Sequence, residues 1–247
     1  MIIESLSNSL IKHACSLKEK KFRTESGEFL AEGVRLVLDI NLFAPDSIIN
    51  IFVTETVFAV NKELPADKVC LVSDLVMNKL SDTQTSQGVV AVVKKRENVQ
   101  IKNDRILFLD RIRDPGNLGA IIRTAAAAGY SLILNNCTDP YSQKVVRSCM
   151  GGIFKADFVE SDETALIDLK MKDYKITAAG LDGQKLFGAV KHTKICIVIG
   201  SEADGISDNI LALCDEVVTI PMVNIESLNA AVSAGIIMYY YTDTVSG

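Results

Sequence analysis

Arg105-Ile-Leu-Phe-Leu109 leads directly into Asp110-Arg-Ile-Arg-Asp-Pro-Gly-Asn-Leu-Gly-Ala-Ile-Ile-Arg123, and this stretch decides the fold class. A short apolar run bounded by polar residues predicts a strand covered on both faces. Asp114-Pro-Gly-Asn117 is turn chemistry, because Pro115 fixes φ and Gly116 admits positive φ. A helix is expected from about 118 to 128, stopping at Gly129. The same unit then recurs. Strands are predicted at 131–134, 154–159, 175–179, 195–199 and 216–220, with helices at 142–149, 163–171, 207–213 and 227–240 between them. Alternation of this kind requires crossovers and gives an α/β fold with a mostly parallel sheet.

Upstream lies a second, smaller alternating unit. Strands are predicted at 28–31, 48–54, 68–72 and 88–93, and helices at 34–42, 55–61 and 74–80. Before them, residues 8–21 place Leu10, Ile11, Ala14 and Leu17 at helical spacing, with Lys12, Lys18, Lys20 and Lys21 on the other side. The polar run 94–103 separates the units, so the expected domains are 1–96 and 97–247. No internal repeat or low-complexity segment interrupts them.

The 247 residues are 48% apolar, enough to build real cores and to exclude disorder. The longest apolar stretches, 194–200 and 233–241, fall far short of a membrane span. Met1-Ile-Ile-Glu-Ser5 carries an early acid and no basic region, unlike a signal peptide. The expectation is a soluble, cytoplasmic protein with no membrane partner. Six cysteines lie without metal-type spacing and mostly among apolar neighbours, as small buried hydrophobes in a reducing compartment. Only His13 and His192 offer imidazoles, and neither has ligand spacing. No metal is expected, and any catalysis must proceed largely without histidine.

The net charge of −5 by itself argues against a nucleic-acid partner. By segment the picture changes. Residues 94–155 carry 11 basic and 5 acidic side chains, whereas 156–247 carry 6 basic and 14 acidic. A basic middle segment can attract phosphate whatever the total charge is.

Three polar turns follow predicted strands. The first, 110–123, opens a helix at the carboxyl edge of the sheet, where ligands bind in parallel α/β folds and where free backbone N–H groups favour an anion. Asn117 occupies a candidate N-cap position, a bland role that competes with a functional one. Arg123 stands among Ile121, Ile122 and the alanines 125–128, where it is costly to bury unless paired or facing a site. The second turn, Gly200-Ser-Glu-Ala-Asp-Gly-Ile-Ser207, offers Gly200 for close backbone approach by a ligand and Glu202 as a carboxylate. Ser207 is the candidate cap of the next helix. The third, Ile220-Pro-Met-Val-Asn-Ile-Glu-Ser-Leu-Asn229, puts Ser227 and Asn229 at the head of an Ala/Gly-rich helix, with N-capping the plain alternative for Ser227. No Walker A or G-x-G-x-x-G loop is present.

The D-P-G-N-L-G…R turn, the G-S-E-x-x-G loop and the I-P-M…E-S-L-N segment, in this order, resemble the SpoU (TrmH) family of RNA 2′-O-ribose methyltransferases. The likeness extends to Asp139-Pro-Tyr-Ser-Gln-Lys-Val-Val-Arg-Ser-Cys-Met-Gly151, where Gln143 and Cys149 replace the family's usual Pro and Ser. It also takes in the segments 7–12, 29–33 and 80–88, which look like the family's N-terminal substrate-binding domain. The stretch from Ile220 to Leu228 is one residue shorter than the family pattern and lacks its usual Gly.

The resemblance implies a SPOUT-type fold with a trefoil knot, an exception to the rule against knots. It implies S-adenosylmethionine as methyl donor, held around Gly200, Ile220 and Leu228, and a homodimer with the active site near its interface. It also implies Arg123 as the catalytic residue, supported by Asn117, Glu202, Ser227 and Asn229, and RNA as substrate. Ribosomal RNA is favoured because the first domain looks like a reader of it. The alternatives are a tRNA 2′-O-methyltransferase, a non-catalytic RNA-binding or ribosome-assembly protein, and a small-molecule α/β enzyme. The second of these predicts loss of Arg123 or Asn229, and the third predicts no basic middle.

Overall fold

The computed structural model describes residues 2–97 and 99–242. Two compact units divide them, one of residues 2–97 together with Asp139–Phe154, the other of 99–138 with 155–242.

The first unit holds a mixed four-stranded sheet of β1 (Glu28–Glu32), β2 (Ile48–Val53), β3 (Val69–Leu71) and β4 (Val89–Lys94), in the order β1-β4-β2-β3. β4 runs antiparallel to β1 and β2, while β2 and β3 are parallel. Its helices are α1 (Ser9–Ser16), α2 (Lys20–Ser26), α3 (Val34–Phe43), α4 (Glu55–Val60) and α5 (Asp74–Leu80). A core of Ile11, Ala14, Leu17, Leu30, Phe52, Val76, Leu80 and Val92 joins α1 and α5 to the sheet.

The single helix expected over 8–21 is two helices, broken at Leu17–Glu19. The break is closed by the side chain of Arg23. Arg23 is only 4% exposed, and its Nη1 donates to the carbonyls of Leu17 and Lys18, each at 2.7 Å. Those carbonyls, freed where the helix stops, need partners, and the guanidinium supplies them.

The same guanidinium donates from Nε and Nη2 to Asp139 Oδ2 at 2.9 and 2.6 Å. Helix α7 (Gln143–Ser148) packs on β1, and Phe29 stacks near Tyr141 and Phe154. Residues 139–154 therefore complete the first unit. A single cut at 96/97 does not describe the two units, because these contacts are long-range and invisible to composition. The strand expected over 154–159 is correspondingly shorter. Phe154 ends a turn of 3₁₀ helix, and only Phe158–Glu160 pairs.

The second unit is a six-stranded parallel sheet of β5 (Arg105–Asp110), β6 (Ser131–Asn135), β7 (Phe158–Glu160), β8 (Lys175–Lys185), β9 (Ile195–Ile199) and β10 (Glu216–Thr219). The order is β10-β8-β9-β5-β6-β7. The chain builds outward from β5 through β6 to β7, then crosses to the other side for β8, β9 and β10. The reversal of strand order lies between β5 and β9, which pair from Arg105↔Ile195 to Leu109↔Ile199. In such sheets the crevice outside the carboxyl ends at this switch point is where ligands bind. β9 and the Ile106–Leu109 centre of β5 are wholly buried apolar runs, as continuous hydrophobic sequence predicts.

Helix α6 (Pro115–Ala128) buries Leu118, Ile121, Ile122, Ala125 and Ala128, a helical stripe against the sheet. Helix α8 (Thr164–Met171) covers β8, and α9 (Asp208–Leu211) follows β9. Helix α10 (Ala230–Tyr241) packs on α6 and β9, where Tyr130 Oη donates to Met238 O at 3.1 Å. Strand β8 is longer than expected because its pairing with β10 skips from Ala178↔Val217 to Gln184↔Val218. The intervening residues bulge beyond the sheet's carboxyl edge. Among the described residues no helix is long and apolar enough to cross a membrane.

Candidate active site

The three polar turns converge at the switch point. Because Leu109 pairs with Ile199, Asp110 and Gly200 leave the sheet side by side. The third turn arrives from the edge strand β10 and reaches the start of α6. Its Asn229 Nδ2 donates to Asn117 Oδ1 at 2.8 Å, and Asn117 Nδ2 donates to the Glu202 carboxylate in a short hydrogen bond. One residue from each turn thus forms a single relay, Asn229 to Asn117 to Glu202. The amide dipoles are consistently oriented and end on an anion, the stronger kind of hydrogen bond.

Two capping assignments change. The cap of α6 is Asp114, which accepts from the Asn117 backbone N–H at 2.8 Å, so Asn117 sits inside the first turn with its amide free for the relay. The cap of α10 is Asn229, whose Oδ1 accepts from the N–H groups of Ala231 and Val232 at 2.9 and 3.2 Å. Helix α10 therefore begins at Ala230 and not at Ser227. Ser227 is exposed and makes no hydrogen bond among the described residues. Asn229 does two jobs at once, since its oxygen caps the helix while its nitrogen feeds the relay.

A cavity of about 710 Å³ opens beside the relay. Gly200, Ile220 and Leu228 line it, as do Glu202 and Ser227. The β8 bulge contributes Gly180, Leu181 and Asp182 to the same wall. Sequence reasoning missed this bulge, because its signal, Gly180 and Gly183, reads equally well as the end of a strand. The charged residues on the wall are Asp182, Glu202, Asp204 and Glu226, all acidic. This is a setting for a cationic guest with apolar parts.

Gly200 is required for a reason other than ligand approach. A Cβ there would collide with the Gly205 and Ile206 backbone, which folds back over it, closed by the Ser201–Gly205 bridge. The close neighbour is the chain itself. In the third turn, Asn224 takes φ +71°, a conformation that asparagine tolerates where a glycine is otherwise favoured.

Arg123 stands apart. It lies on the exposed side of α6, outside the cavity wall, and no hydrogen bond or ion pair reaches it among the described residues. Nothing compensates its charge among the described residues. The cost of burial that the sequence raised does not arise.

The other nucleophiles and bases are remote or silent. His13 pairs with Glu28 at 2.5 Å in the first unit, and His192 lies 3.6 Å from Glu216 at the start of β10, the opposite end of the sheet. Burial pushes the thiols of Cys137, Cys149 and Cys214 up to about 11, far from thiolate at neutral pH. No cluster of three metal-ligating side chains occurs among the described residues.

Residues 104–239 match the SpoU rRNA Methylase family, and residues 8–91 match the MRM3-like substrate binding domain. The chain belongs to the SpoU rRNA methylase family. It is similar to the 23S rRNA (guanosine(2553)-2′-O)-methyltransferase RlmP of Bacillus subtilis, with 29% identity over 244 residues covering 96% of this chain and 98% of that protein. It resembles the 23S rRNA (guanosine-2′-O-)-methyltransferase RlmB of Acinetobacter baylyi at 32% identity, covering 66% of this chain and 73% of that one. Among solved structures, the AdoMet-bound rRNA methyltransferase of Sinorhizobium meliloti superposes with a TM-score of 0.82 at 28% identity, over 98% of this chain and 97% of that one. AviRb of Streptomyces viridochromogenes, a SpoU methyltransferase in complex with AdoMet, superposes with a TM-score of 0.79 at 26% identity, over 95% and 97%. Within this SpoU family chain the relay and the cavity both fall inside the matched segment 104–239.

Proposed function

We propose that this protein is an S-adenosylmethionine-dependent methyltransferase acting on a ribose 2′-OH of ribosomal RNA. The carrying observation is the cavity at the switch point, built from the second and third turns with the β8 bulge and joined to the first turn through the Asn229–Asn117–Glu202 relay. Its size suits a nucleoside-sized molecule, and its acidic wall suits the positive charges of a sulfonium and an ammonium. When bound, the cofactor supplies a methyl group activated by its sulfonium. The chain's own residues do the rest. Gly200, Ile220 and Leu228 hold the cofactor through the wall they form, and the C-terminal segment forms the knot of this family. Asn229 and Asn117 fix the Glu202 carboxylate, and Ser227 offers a free hydroxyl at the mouth.

Arg123 is the group that assists the 2′-oxygen. Guanidinium stays protonated in proteins, so it does not take the ribose proton. It stabilises the charge that develops on the oxygen and orients the sugar or its phosphate. The first unit, residues 2–97 with Asp139–Phe154, recruits the RNA as the substrate-binding unit, and the second unit carries the catalysis. The protein works as a cytoplasmic homodimer with the active site near its interface.

The test incubates the protein with methyl-labelled S-adenosylmethionine and separate pools of rRNA, precursor ribosomal particles and tRNA, followed by mapping of ribose methylation. Label is expected in ribosomal RNA. Transfer to tRNA alone, or to no RNA at all, overturns the proposal. Gly200→Ala should remove methyl-donor binding, because the Gly205–Ile206 backbone, which lines the cavity, must shift to admit the methyl group. The accompanying loss of stability is about 1–3 kcal/mol. Calorimetric titration and denaturant unfolding check both parts, and near-normal donor affinity contradicts the steric reading.

A further inference from the structure

Arg111 occupies a backbone position ill suited to it. Its φ is +60°, in the left-handed region where glycine and asparagine are at home and a long side chain is uncommon. Strain of this kind persists where surrounding contacts enforce it. Its own N–H donates to Asn135 O at 2.9 Å, anchoring it to the end of β6.

From this anchor the half-buried guanidinium spans three groups. Nε lies 3.3 Å from Asp110 Oδ2, Nη2 donates to Gly205 O at 3.3 Å, and Nη1 lies 3.7 Å from Asp204 Oδ2. Asp110 is itself fully buried. Its Oδ2 also accepts from the Ser207 backbone N–H and Oγ, each at 2.8 Å, and its Oδ1 from Asn135 Nδ2 at 3.0 Å. The pair Asp110–Arg111 thereby fixes both the apex and the exit of the 201–207 loop. Residues 201–206 form one wall of the cavity, and Glu202 at the apex ends the relay.

The two kinds of contact differ in strength. The Asp110–Ser207 pair, with its carboxylate fully buried and two hydrogen bonds of 2.8 Å, is the firmer anchor. The Arg111 contacts are long and partly exposed, with Asp204 70% exposed, so they are weak, reversible and screened by salt. Such contacts permit a loop to open and to close again.

We propose that Arg111 is a positioning residue for the methyl donor: its guanidinium latches the 201–207 loop over the cavity and sets how fast bound S-adenosylmethionine leaves. The proposal rests on the assignment of this cavity to S-adenosylmethionine. The latch acts through Asp204 and Gly205, not by touching the donor. It adds to the role of the relay, which fixes Glu202 from the opposite side.

The experiment loads full-length protein with labelled S-adenosylmethionine and follows release after a chase with excess unlabelled donor. Arg111→Gly is the decisive variant, because glycine adopts φ +60° without strain while the guanidinium is removed. Release is expected to quicken by about three- to tenfold, with an unfolding temperature equal to or above wild type. Arg111→Lys should fall between the two, since lysine keeps the charge but lacks the fork. Raising ionic strength should speed release from wild type by a larger factor than from Arg111→Gly, because the acidic wall is screened in both and the latch only in wild type.

Release from Arg111→Gly within twofold of wild type overturns the latch. If that variant proves unstable, Asp204→Asn keeps the backbone at Arg111 intact and removes one arm. Its release is expected to quicken at unchanged stability, and wild-type release from it also overturns the latch. A wild-type protein that takes up no donor overturns the cavity assignment, and the latch with it.

Discussion

Replacing Arg123 with alanine is expected to lower ribose methylation by about 10²–10³-fold, the cost of removing one charge-stabilising donor from a reaction that develops an oxyanion. Folding stability should stay within about 0.5 kcal/mol of wild type, because the side chain is exposed and has no partner among the described residues. Binding of the methyl donor should also be unchanged, since Arg123 is outside the cavity wall. The loss therefore belongs to the transfer step. Arg123→Lys should recover little activity, because a point charge does not reproduce a planar fork that grips ribose and phosphate together. Single-turnover transfer, denaturant unfolding and donor titration separate the three quantities. Activity within twofold of wild type in Arg123→Ala removes the assigned role.

The second large effect concerns folding. Arg23→Met should destabilise the first unit by about 3–5 kcal/mol. The substitution leaves the carbonyls of Leu17 and Lys18 unpaired in the break between α1 and α2. It also strands Asp139, whose side chain is 10% exposed and whose Oδ2 takes both remaining guanidinium contacts. A buried carboxylate without its partner is the dominant cost. Denaturant midpoints at constant slope measure it. A change below about 1 kcal/mol would mean that water reaches this pocket and that the pair is ordinary surface charge. The double variant Arg23→Met/Asp139→Asn should be less damaging than Arg23→Met alone, because it removes the stranded charge.

Most strands of the second unit were legible from short apolar runs such as 105–109 and 195–199, since a strand covered on both faces must be apolar throughout. The three polar turns were legible as candidates because each breaks an apolar run with Gly, Pro or Asn. Other features were illegible for particular reasons. Residues 8–21 have unbroken helical periodicity, and the break is closed by a guanidinium that folds back on the helix end. Asn117 and Ser227 both looked like caps, and Asp114 and Asn229 fill those positions, because capping by neighbouring polar residues is decided by local geometry that composition does not contain. Asp110 read as the first residue of a turn, yet it is a fully buried hub accepting four hydrogen bonds from three residues. The β8 bulge is signalled only by Gly180 and Gly183, where a Cβ would meet Val217 of β10, and glycines in a polar stretch read equally well as the end of a strand.

Sequence alone determined the α/β class, the two alternating units, the family likeness and the identity of every residue in the relay. These follow from periodicity, turn chemistry and the order of short motifs, all of which are local. Tertiary structure alone decided which atoms meet. It placed Asn229, Asn117 and Glu202 in one hydrogen-bonded line across 112 positions of chain, and it left Arg123 without a partner among the described residues. It also showed that Gly200 makes room for the chain's own backbone. The reason is that strand order, and not sequence distance, sets neighbours at the carboxyl edge of a parallel sheet, and strand order is fixed by packing of the whole unit.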